Sequence, residues 1–209
     1  MLFALACVAV EASCANIMLS PDIREQLGVW PVHVLANRRT GWSLWFGGDV
    51  DKVLGAGGRV LLFPTLSALR AEIGISPSSL EPERVRGLLP SEIDAVLASP
   101  GADVDIDGAA SWFAGVEGGT DLGECEIVLN GMNFLADIGA TAGDEELLDA
   151  LSKEPLSVIL DRLTFLLTFL GRESGQPEDP NEIRRSISAA AADAAAWCVA
   201  RGTSHIEFR

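Results

Sequence analysis

Residues that enzymes use for proton transfer are scarce in this sequence. It contains two histidines, His33 and His205, and no tyrosine. Neither histidine lies in a recognisable nucleophile or zinc motif. Carboxylate pairs could still do acid–base chemistry, but the acids cluster on predicted exposed helix faces, where a raised pKa is not expected. We therefore expect a non-catalytic protein and keep a small enzyme of unknown reaction class as the alternative.

Motifs that bind nucleotides or metals are also lacking. No G-x-G-x-x-G or phosphate loop occurs, and 55–58 lacks the Lys-Ser/Thr that a phosphate loop requires. The four cysteines (Cys7, Cys14, Cys125 and Cys198) have no metal-type spacing. We expect Cys125 and Cys198 to be buried thiols in a reducing compartment. The sequence thus predicts no cofactor, and a cytoplasmic location.

Basic residues are few, and the imbalance is concentrated in the second half. The chain has 15 Lys and Arg against 30 Asp and Glu, a net charge of −15. Residues 1–100 contribute only −2 (8 bases, 10 acids), whereas 103–154 contribute −12 (13 acids, one base). Nucleic acid is not expected as a direct ligand, because binding it needs basic groups that displace counterions. A basic protein partner is the natural complement; the alternative is a structural domain without a specific ligand, whose charge serves solubility.

We predict that this partner binds a single negative surface formed by acids of the second half. The residues that we expect to form it are Asp121, Glu124, Asp144, Glu145, Glu146 and Asp149.

Long apolar runs of membrane-spanning length are absent, but one shorter run is conspicuous. Residues 156–170, LSVILDRLTFLLTFL, are apolar except for Arg162 and the polar stripe Ser157, Asp161, Thr164 and Thr168. A membrane span needs about 20 apolar residues, and Asp161 lies in the middle of this run. We therefore predict a central buried helix over 156–170, covered on most sides.

Before this helix the chain reads as strands and then as short helices. We predict a hairpin with a five-residue connection, 37–41, and a third strand in RVLLFP, followed by a short helix. The fold class is therefore α+β: a small antiparallel sheet of about three strands packed on a helical C-terminal half. We expect a single α+β domain over 29–209, with a β-rich part (29–74), a connection (75–100) and a helical part (101–209).

The last helix is predicted to follow Asp179 as N-cap and Pro180 as its first residue. Its apolar stripe is expected at Ile183, Ile187, Ala190, Ala194 and Trp197.

An export signal has Lys or Arg before its apolar region. The short apolar region within the first 18 residues has none before it. Three interpretations stay open: a signal, an extension, or a natural start at Met18.

Two local patterns suggest alternative binding sites. Asp103, Asp105 and Asp107 open a D-x-D-x-D-G pattern typical of a calcium loop, but the twelfth position is Ala114 rather than the bidentate Glu that such a loop needs. An acidic turn leading into a helix is the competing interpretation.

Tryptophans and arginines around the predicted hairpin suggest the second site. Arg38, Arg39 and Trp45 could form an aromatic and basic surface, since Trp and Arg are enriched at interface anchors. The competing interpretation places Trp45 under a covering helix.

The order WSLWFGG…VLLFPTLSAL, followed by DIDGAASWF and LNGMNFLADI, resembles small uncharacterised actinobacterial proteins. Over about residues 30–170 it also resembles the general style of immunity proteins encoded beside secreted toxins. The resemblance implies a non-catalytic cytoplasmic protein whose acidic face covers a basic toxin site, and it implies no catalytic residues.

Overall fold

The computed structural model describes residues 23–99, 101–115, 121–169 and 179–209. The strands are β1 (Val29–Ala36), β2 (Arg39–Phe46), β3 (Lys52–Val53), β4 (Gly55–Ala56), β5 (Arg59–Leu62), β6 (Ala102–Asp105) and β7 (Ile206–Phe208). The helices are α1 (Ile23–Leu27), α2 (Leu66–Ile75), α3 (Pro90–Leu97), α4 (Ile106–Phe113), α5 (Leu122–Ala142), α6 (Glu145–Ser152), α7 (Leu156–Phe169), α8 (Pro180–Arg185) and α9 (Ala189–Ser204). The α+β class is confirmed. The alternatives for residues 1–18 lie outside the described residues.

The hairpin of β1 and β2 turns more tightly than the sequence predicts. The strands pair antiparallel along their whole length, so only Asn37 and Arg38 connect them. Their φ angles are 53° and 58°, as a type I′ turn requires. The predicted five-residue connection is wrong, because this two-residue turn leaves 39–41 free to pair.

Two small mixed sheets replace the one antiparallel sheet that we predict. The first sheet has the order β3-β2-β1-β6, and β6 runs parallel to β1. The second has the order β4-β5-β7, in which β7 from the C-terminus runs parallel to β5. Trp42 and Phe63 exchange backbone hydrogen bonds of 2.7 and 2.9 Å and so join the two sheets. The strands that pair in parallel, β1 with β6 and β5 with β7, are far apart in the sequence. Hairpin patterns, which report only neighbouring strands, therefore do not reveal these pairings.

The faces of the first sheet pack against two different hydrophobic cores. Val32 and Val34 of β1 belong to a core shared with α4 to α9. Leu44 and Phe46 of β2 belong to a second core with α2 and α3. The prediction that the sheet packs on the helical half is confirmed, and a second helical layer covers its other face.

The predicted connection, 75–100, takes part in this second core. It contributes the buried side chains of Leu80, Val85, Ile93 and Val96. A short 3₁₀ helix (Glu83–Gly87) and α3 place Val85, Ile93 and Val96.

The helix at the centre of the fold is α5, not α7. It is 21 residues long and contacts α4, α6, α7 and α9 as well as β3, β5 and β6. Met132, Leu135 and Ile138 are among its almost fully buried side chains. Gly139 and Gly202 are buried where α6 and α9 come close to it.

The helix predicted over 156–170 is present as α7 and is exposed along one stripe, but that stripe contains two apolar residues that the sequence places on the buried side. Leu156, Ile159 and Leu163 are buried, whereas Val158 is 43% and Phe165 56% exposed. No helix within the described ranges is long and apolar enough to cross a membrane.

The last predicted helix is divided into α8 and α9. Asp179 caps α8 as predicted, and Ser188 caps α9 by accepting a hydrogen bond from the Ala191 amide. The buried stripe of α9 is Ala191, Ala195, Cys198 and Gly202. It is displaced by one residue from the predicted stripe because α9 starts a new helical register, and Trp197 is 42% exposed.

Candidate functional site

The six acids predicted to form one negative surface lie at opposite ends of α5. Asp121 and Glu124 are at its first turn, whereas Asp144 and the acids of α6 follow its last turn. A helix of 21 residues is about 31 Å long. The structure therefore does not bring the six carboxylates together.

Asp144 is part of the protein's internal structure. Its side chain is 3% exposed and caps α6 by accepting a 3.1 Å hydrogen bond from the Leu147 amide. Arg201 donates to it through Nε (2.5 Å) and Nη2 (3.2 Å), and Nε2 of His205 lies 2.7 Å away. Hydrogen bonds from Arg201 and then from His205 and Leu147 hold the pKa of Asp144 well below its usual range, despite its burial. Asp144 is thus inaccessible to a partner.

The other acids of α6 differ in how far they are neutralised. Glu146 lies 3.4 Å from Nη2 of Arg201, and Asp149 lies 2.5 Å from Nζ of Lys153. Glu145 is exposed and forms no ion pair with any described residue.

Asp121 and Glu124 serve the beginning of α5. Asp121 caps the helix by accepting a 2.9 Å hydrogen bond from the Glu124 amide. Oε2 of Glu124 is buried and has no hydrogen-bond partner. Burial, followed by the charges of Glu124 and Asp121, raises the pKa of the Cys125 thiol.

The two cysteines within the described ranges are buried free thiols, as predicted. Burial raises the pKa of Cys198 to about 11. Since the thiolate is the reactive form, both cysteines are suited to packing rather than to nucleophilic chemistry.

A stripe that the sequence analysis missed lies on the exposed face of α7. Val158, Asp161 and Phe165 follow one another at spacings of three and four residues, and all three are exposed; Glu154, in the turn before α7, is exposed as well. Acidic and apolar side chains therefore alternate along one helix face. Their spacing is visible in the sequence, where the apolar pattern predicts Val158 and Phe165 on the buried side, whereas the structure exposes both. We refer to Glu145, Glu154 and Asp161 as the α6–α7 acidic group.

The predicted aromatic and basic surface is not assembled as one site. Arg38 lies in the hairpin turn, and Arg39 lies on the other side of the turn with its guanidinium 4.0 Å from the Phe208 ring centre. Trp45 is partly buried under α5, where Nε1 donates a 3.1 Å hydrogen bond to Oδ2 of Asp137. Its ring centre is 4.8 Å from that of Trp30. Trp45 thus takes the place under a covering helix that was the competing interpretation.

Asp137 is the described carboxyl whose pKa is raised. Burial, then the charge of Asp51, raises its pKa to about 7, and the Trp45 hydrogen bond partly opposes this shift. A carboxyl that titrates near neutral pH has the property of a general acid or base. No sequence motif reveals it, because Trp45 is 92 residues away.

The three aspartates of the predicted calcium loop have three different partners. Asp103 pairs with His33 at 3.2 Å, and Asp105 caps α4 by accepting from the Gly108 amide at 2.6 Å. Asp107 accepts from the amides of Asn37 and Arg38 at 2.8 and 2.6 Å. Among the described residues, no cluster of three or more His, Cys, Asp or Glu is arranged to hold a metal ion. The three carboxylates are therefore not assembled around one point as a calcium loop requires, because they bond to His33, to the Gly108 amide and to the amides of the hairpin turn.

Comparison with known proteins identifies the fold alone. No protein-family model and no curated protein sequence matches the chain. Among solved structures, it is similar to the C-terminal domain of SatS, crystallised in complex with bromine. The TM-score is 0.56 at 19% sequence identity, over 91% of this chain and 98% of that domain. The arrangement of helices and sheets therefore has a counterpart in a solved structure.

Proposed function

We propose that this protein is a non-catalytic binding protein that engages a basic protein partner through its acidic C-terminal half. The observation that carries the proposal is the α6–α7 acidic group. Residues 144–161 contain six acids and one base. Glu145, Glu154 and Asp161 remain exposed there and form no ion pair with any described residue.

The exposed apolar side chains of α7 favour a protein as the partner. Val158 and Phe165 lie on the same face of α7 as Asp161, and Glu154 lies in the turn just before this helix. Protein interfaces combine an apolar centre with a polar rim. A basic partner with apolar side chains beside its cations complements this face, whereas the negative charge disfavours direct contact with nucleic acid.

The specific form of this proposal is an immunity protein that neutralises a basic toxin in the cytoplasm. In a toxin that acts on a polyanion, the substrate site is basic, and an acidic protein can cover it. This form rests on the resemblance in the sequence and on the charge of α6 and α7. Expression of the protein should then restore growth to cells that produce the toxin, and Glu145→Lys with Asp161→Lys should weaken the protection.

The direct test is capture of the partner from the native host with three forms of the full chain. The site variant carries Glu145→Lys, Glu154→Lys and Asp161→Lys. The control carries Glu25→Lys, Asp49→Lys and Glu81→Lys, which are exposed acids of the N-terminal half. Both variants change the net charge by +6, so a difference between them reports the location of charge rather than its total.

A basic protein that is retained by the wild type and the control but lost by the site variant would support the proposal. Its affinity should fall about tenfold or more in the site variant, since exposed charge pairs contribute up to about 1 kcal/mol each. Equal capture by all three forms, or equal loss from both variants, would contradict a localised acidic site.

Asp137 supports a second candidate function, a small enzyme with this carboxyl as general acid or base. Its pKa of about 7 and its contact with Trp45 are the observations in favour. Asp137→Asn removes the titrating group and keeps a hydrogen-bond acceptor for Trp45. Loss of an activity in this variant with retained folding would favour the enzyme, whereas full binding of a basic partner by the same variant would favour the binding protein.

A further inference from the structure

Two tryptophans, an aspartate of α5 and the loop between β2 and β3 meet at one corner of the fold. Trp45 donates a 3.1 Å hydrogen bond from Nε1 to Oδ2 of Asp137, and its ring centre lies 4.8 Å from that of Trp30. The loop begins beside this pair, because a Cβ at Gly47 would lie 3.0 Å from the Trp30 ring and 3.8 Å from Oδ1 of Asp51. The loop and α5 therefore share the tryptophan pair as a common wall.

The start of β3 directs Asp51 toward Asp137. The Val53 amide donates a 2.9 Å hydrogen bond to Oγ1 of Thr141, which follows Asp137 by one turn of α5. Because side chains alternate along an extended chain, Asp51 lies on the same side as the buried Val53, and Lys52 lies on the opposite side. Burial, then the charge of Asp51, accordingly raises the pKa of Asp137 to about 7.

The charged groups on the other elements that pack against α5 are engaged elsewhere or face solvent. The bases bond as follows: Arg59 of β5 to the Ser204 carbonyl, Arg162 of α7 to Ser186, and Arg201 of α9 to Asp144. The acids Asp105 of β6 and Asp107 of α4 accept from backbone amides, and Asp161 of α7 and Asp193 of α9 are exposed. Among the described residues, Asp51 is therefore the charged group that faces Asp137.

Ionisation of Asp137 has opposite effects on its two neighbours. A carboxylate accepts a stronger hydrogen bond than a neutral carboxyl group, so loss of the proton strengthens the bond from Trp45. The same negative charge repels Asp51. Asp51 also shapes the loop, because its Oδ1 accepts a 3.0 Å hydrogen bond from the Gly48 amide. Repulsion of this one side chain therefore acts on the whole loop.

The loop can respond because it is fixed at both ends and loosely packed between them. The Gly47 amide donates a 3.0 Å hydrogen bond to the Gly28 carbonyl, and its own carbonyl accepts a 2.9 Å bond from Arg84. At the other end Val53 is bound to α5. Between these anchors Val50 is 62% exposed, and a segment with few buried apolar contacts opens at a low free energy.

We propose that the proton on Asp137 sets the position of the segment 48–51. With the proton bound, this segment lies against the corner formed by Trp30, Trp45 and α5. When the proton is lost, the segment moves outward while Trp45 stays bound to Asp137. The device is a pH-sensitive loop that responds near neutral pH, and it requires neither the proposed basic partner nor an enzymatic activity.

The test follows the ¹⁵N-labelled full chain by NMR from about pH 5 to about pH 9, on both sides of the raised pKa. The indole N–H signal of Trp45 reports the charge on Asp137, and the backbone amide of Gly48 reports the loop. Both signals should change with one common midpoint near pH 7. Protection of the Gly48 amide against solvent exchange, corrected for the intrinsic effect of pH, should fall at least threefold across this midpoint.

Three variants separate the two halves of the device. Asp137→Asn should abolish both responses. Asp51→Asn keeps an acceptor for the Gly48 amide but no charge, so it should keep the Trp45 response, with a lower midpoint, and lose the Gly48 response. Asp49→Asn, which removes an exposed acid of the same loop, should leave both responses as in wild type. If Asp137→Asn does not fold, the two loop variants still carry the comparison.

A Trp45 response without a Gly48 response in wild type would overturn the proposal, since Asp137 would then titrate without moving the loop. A Trp45 signal that does not change over this pH range would overturn it as well. The same conclusion follows if the two signals have different midpoints, or if the Gly48 response persists in Asp51→Asn.

Discussion

Asp144 and Arg201 join the beginning of α6 to the last turn of α9 through two hydrogen bonds, although 57 residues separate them in the sequence. His205 binds the same carboxylate and leads directly into β7, which pairs with β5. One acid therefore holds two helices and a strand of the second sheet in place. Its negative charge belongs to the stability of the fold rather than to a binding surface.

Replacing Asp144 should destabilise the protein in two separable steps. Asp144→Ser keeps an N-cap for α6 but removes the ion pair with Arg201, and Asp144→Ala removes both. Arg201 is 41% exposed and keeps Glu146 3.4 Å away, so loss of its hydrogen bonds to Asp144 should cost roughly 1–3 kcal/mol, and a lost N-cap costs about 1 kcal/mol. Urea denaturation at pH 7 should therefore rank the free energy of unfolding as wild type, then serine, then alanine. An alanine variant as stable as wild type would contradict the structural role.

The same carboxylate should make the stability depend on acid pH. The pKa of Asp144 is lowered in the folded state, so its contribution is present above the unfolded pKa and is lost as the pH falls through the folded one. Below about pH 4, wild type should lose stability more steeply than Asp144→Ser. Parallel curves of unfolding free energy against pH for the two proteins would count against the assignment.

Asp137 should give a pH dependence of the opposite sign. Its pKa is raised to about 7 in the folded state, so between about pH 4 and pH 7 the folded protein binds more protons and its stability falls as the pH rises. Asp137→Asn removes this loss and should be more stable than wild type at pH 8, by on the order of 4 kcal/mol at about 1.4 kcal/mol per pKa unit. At pH 4 the two proteins should be nearly equal.

Asp51→Asn provides the control for the cause of this shift. The charge of Asp51 contributes less than burial to the raised pKa of Asp137. In Asp51→Asn the pKa of Asp137 should therefore fall but stay above its ordinary value. The pH range over which stability decreases should then end at a lower pH than in wild type. If the difference in unfolding free energy between wild type and Asp137→Asn were the same at pH 5 as at pH 8, the raised pKa of Asp137 would be contradicted.

Two glycines test how closely α9 packs on α5. A Cβ at Gly202 would lie 2.5 Å from Cδ2 of Leu135, whereas a Cβ at Gly74 in α2 would meet no atom within 4 Å. Gly202→Ala should cost about 1–3 kcal/mol through overpacking. Gly74→Ala should stabilise the protein by about 0.5–1 kcal/mol through helix propensity. Thermal unfolding midpoints that move in the same direction would contradict this packing.

The hairpin turn contains an arginine where glycine is preferred. Arg38 has a φ angle of 58°, which costs roughly 1 kcal/mol for a residue with a Cβ. Arg38→Gly should stabilise the protein by about that amount, because an Asn-Gly pair matches a type I′ turn and the backbone amide at this position still bonds to Asp107. Arg38→Ala keeps the Cβ and should bring no gain. An equal gain in both variants would mean that the side chain, not the φ angle, is unfavourable.

The fold could be predicted from the sequence where the signals are local. The alternation of Val32 and Val34 in β1, the place of the hairpin turn (although not its length), and Asp179 as the cap of α8 all appear in the structure. The exposure of α7 was missed because periodicity shows which residues are apolar but not whether a neighbouring helix is available to cover them. α5 occupies the central position because its small residues let several neighbouring helices and strands pack closely against it.

The candidate site could be predicted only in part: Glu145 was expected to be exposed, whereas the partners of Asp144 and Asp137 are distant in the sequence. Asp144 and Glu145 are adjacent acids in the sequence, yet one is buried against Arg201 and the other is exposed. Asp137 resembles any polar residue in an amphipathic helix until Trp45 of a distant strand lies against it. The net charge follows from the composition, whereas the position of the unpaired acids depends on which basic side chain pairs with which carboxylate.

The most direct test of the proposed function is the affinity of the captured basic partner for the two charge-reversed proteins at several salt concentrations. We expect Glu145→Lys with Glu154→Lys and Asp161→Lys to weaken the complex about tenfold or more and to flatten its salt dependence. The N-terminal control, with Glu25→Lys, Asp49→Lys and Glu81→Lys, should stay within about twofold of wild type. Equal affinities for the two variants would contradict an acidic binding site on α6 and α7.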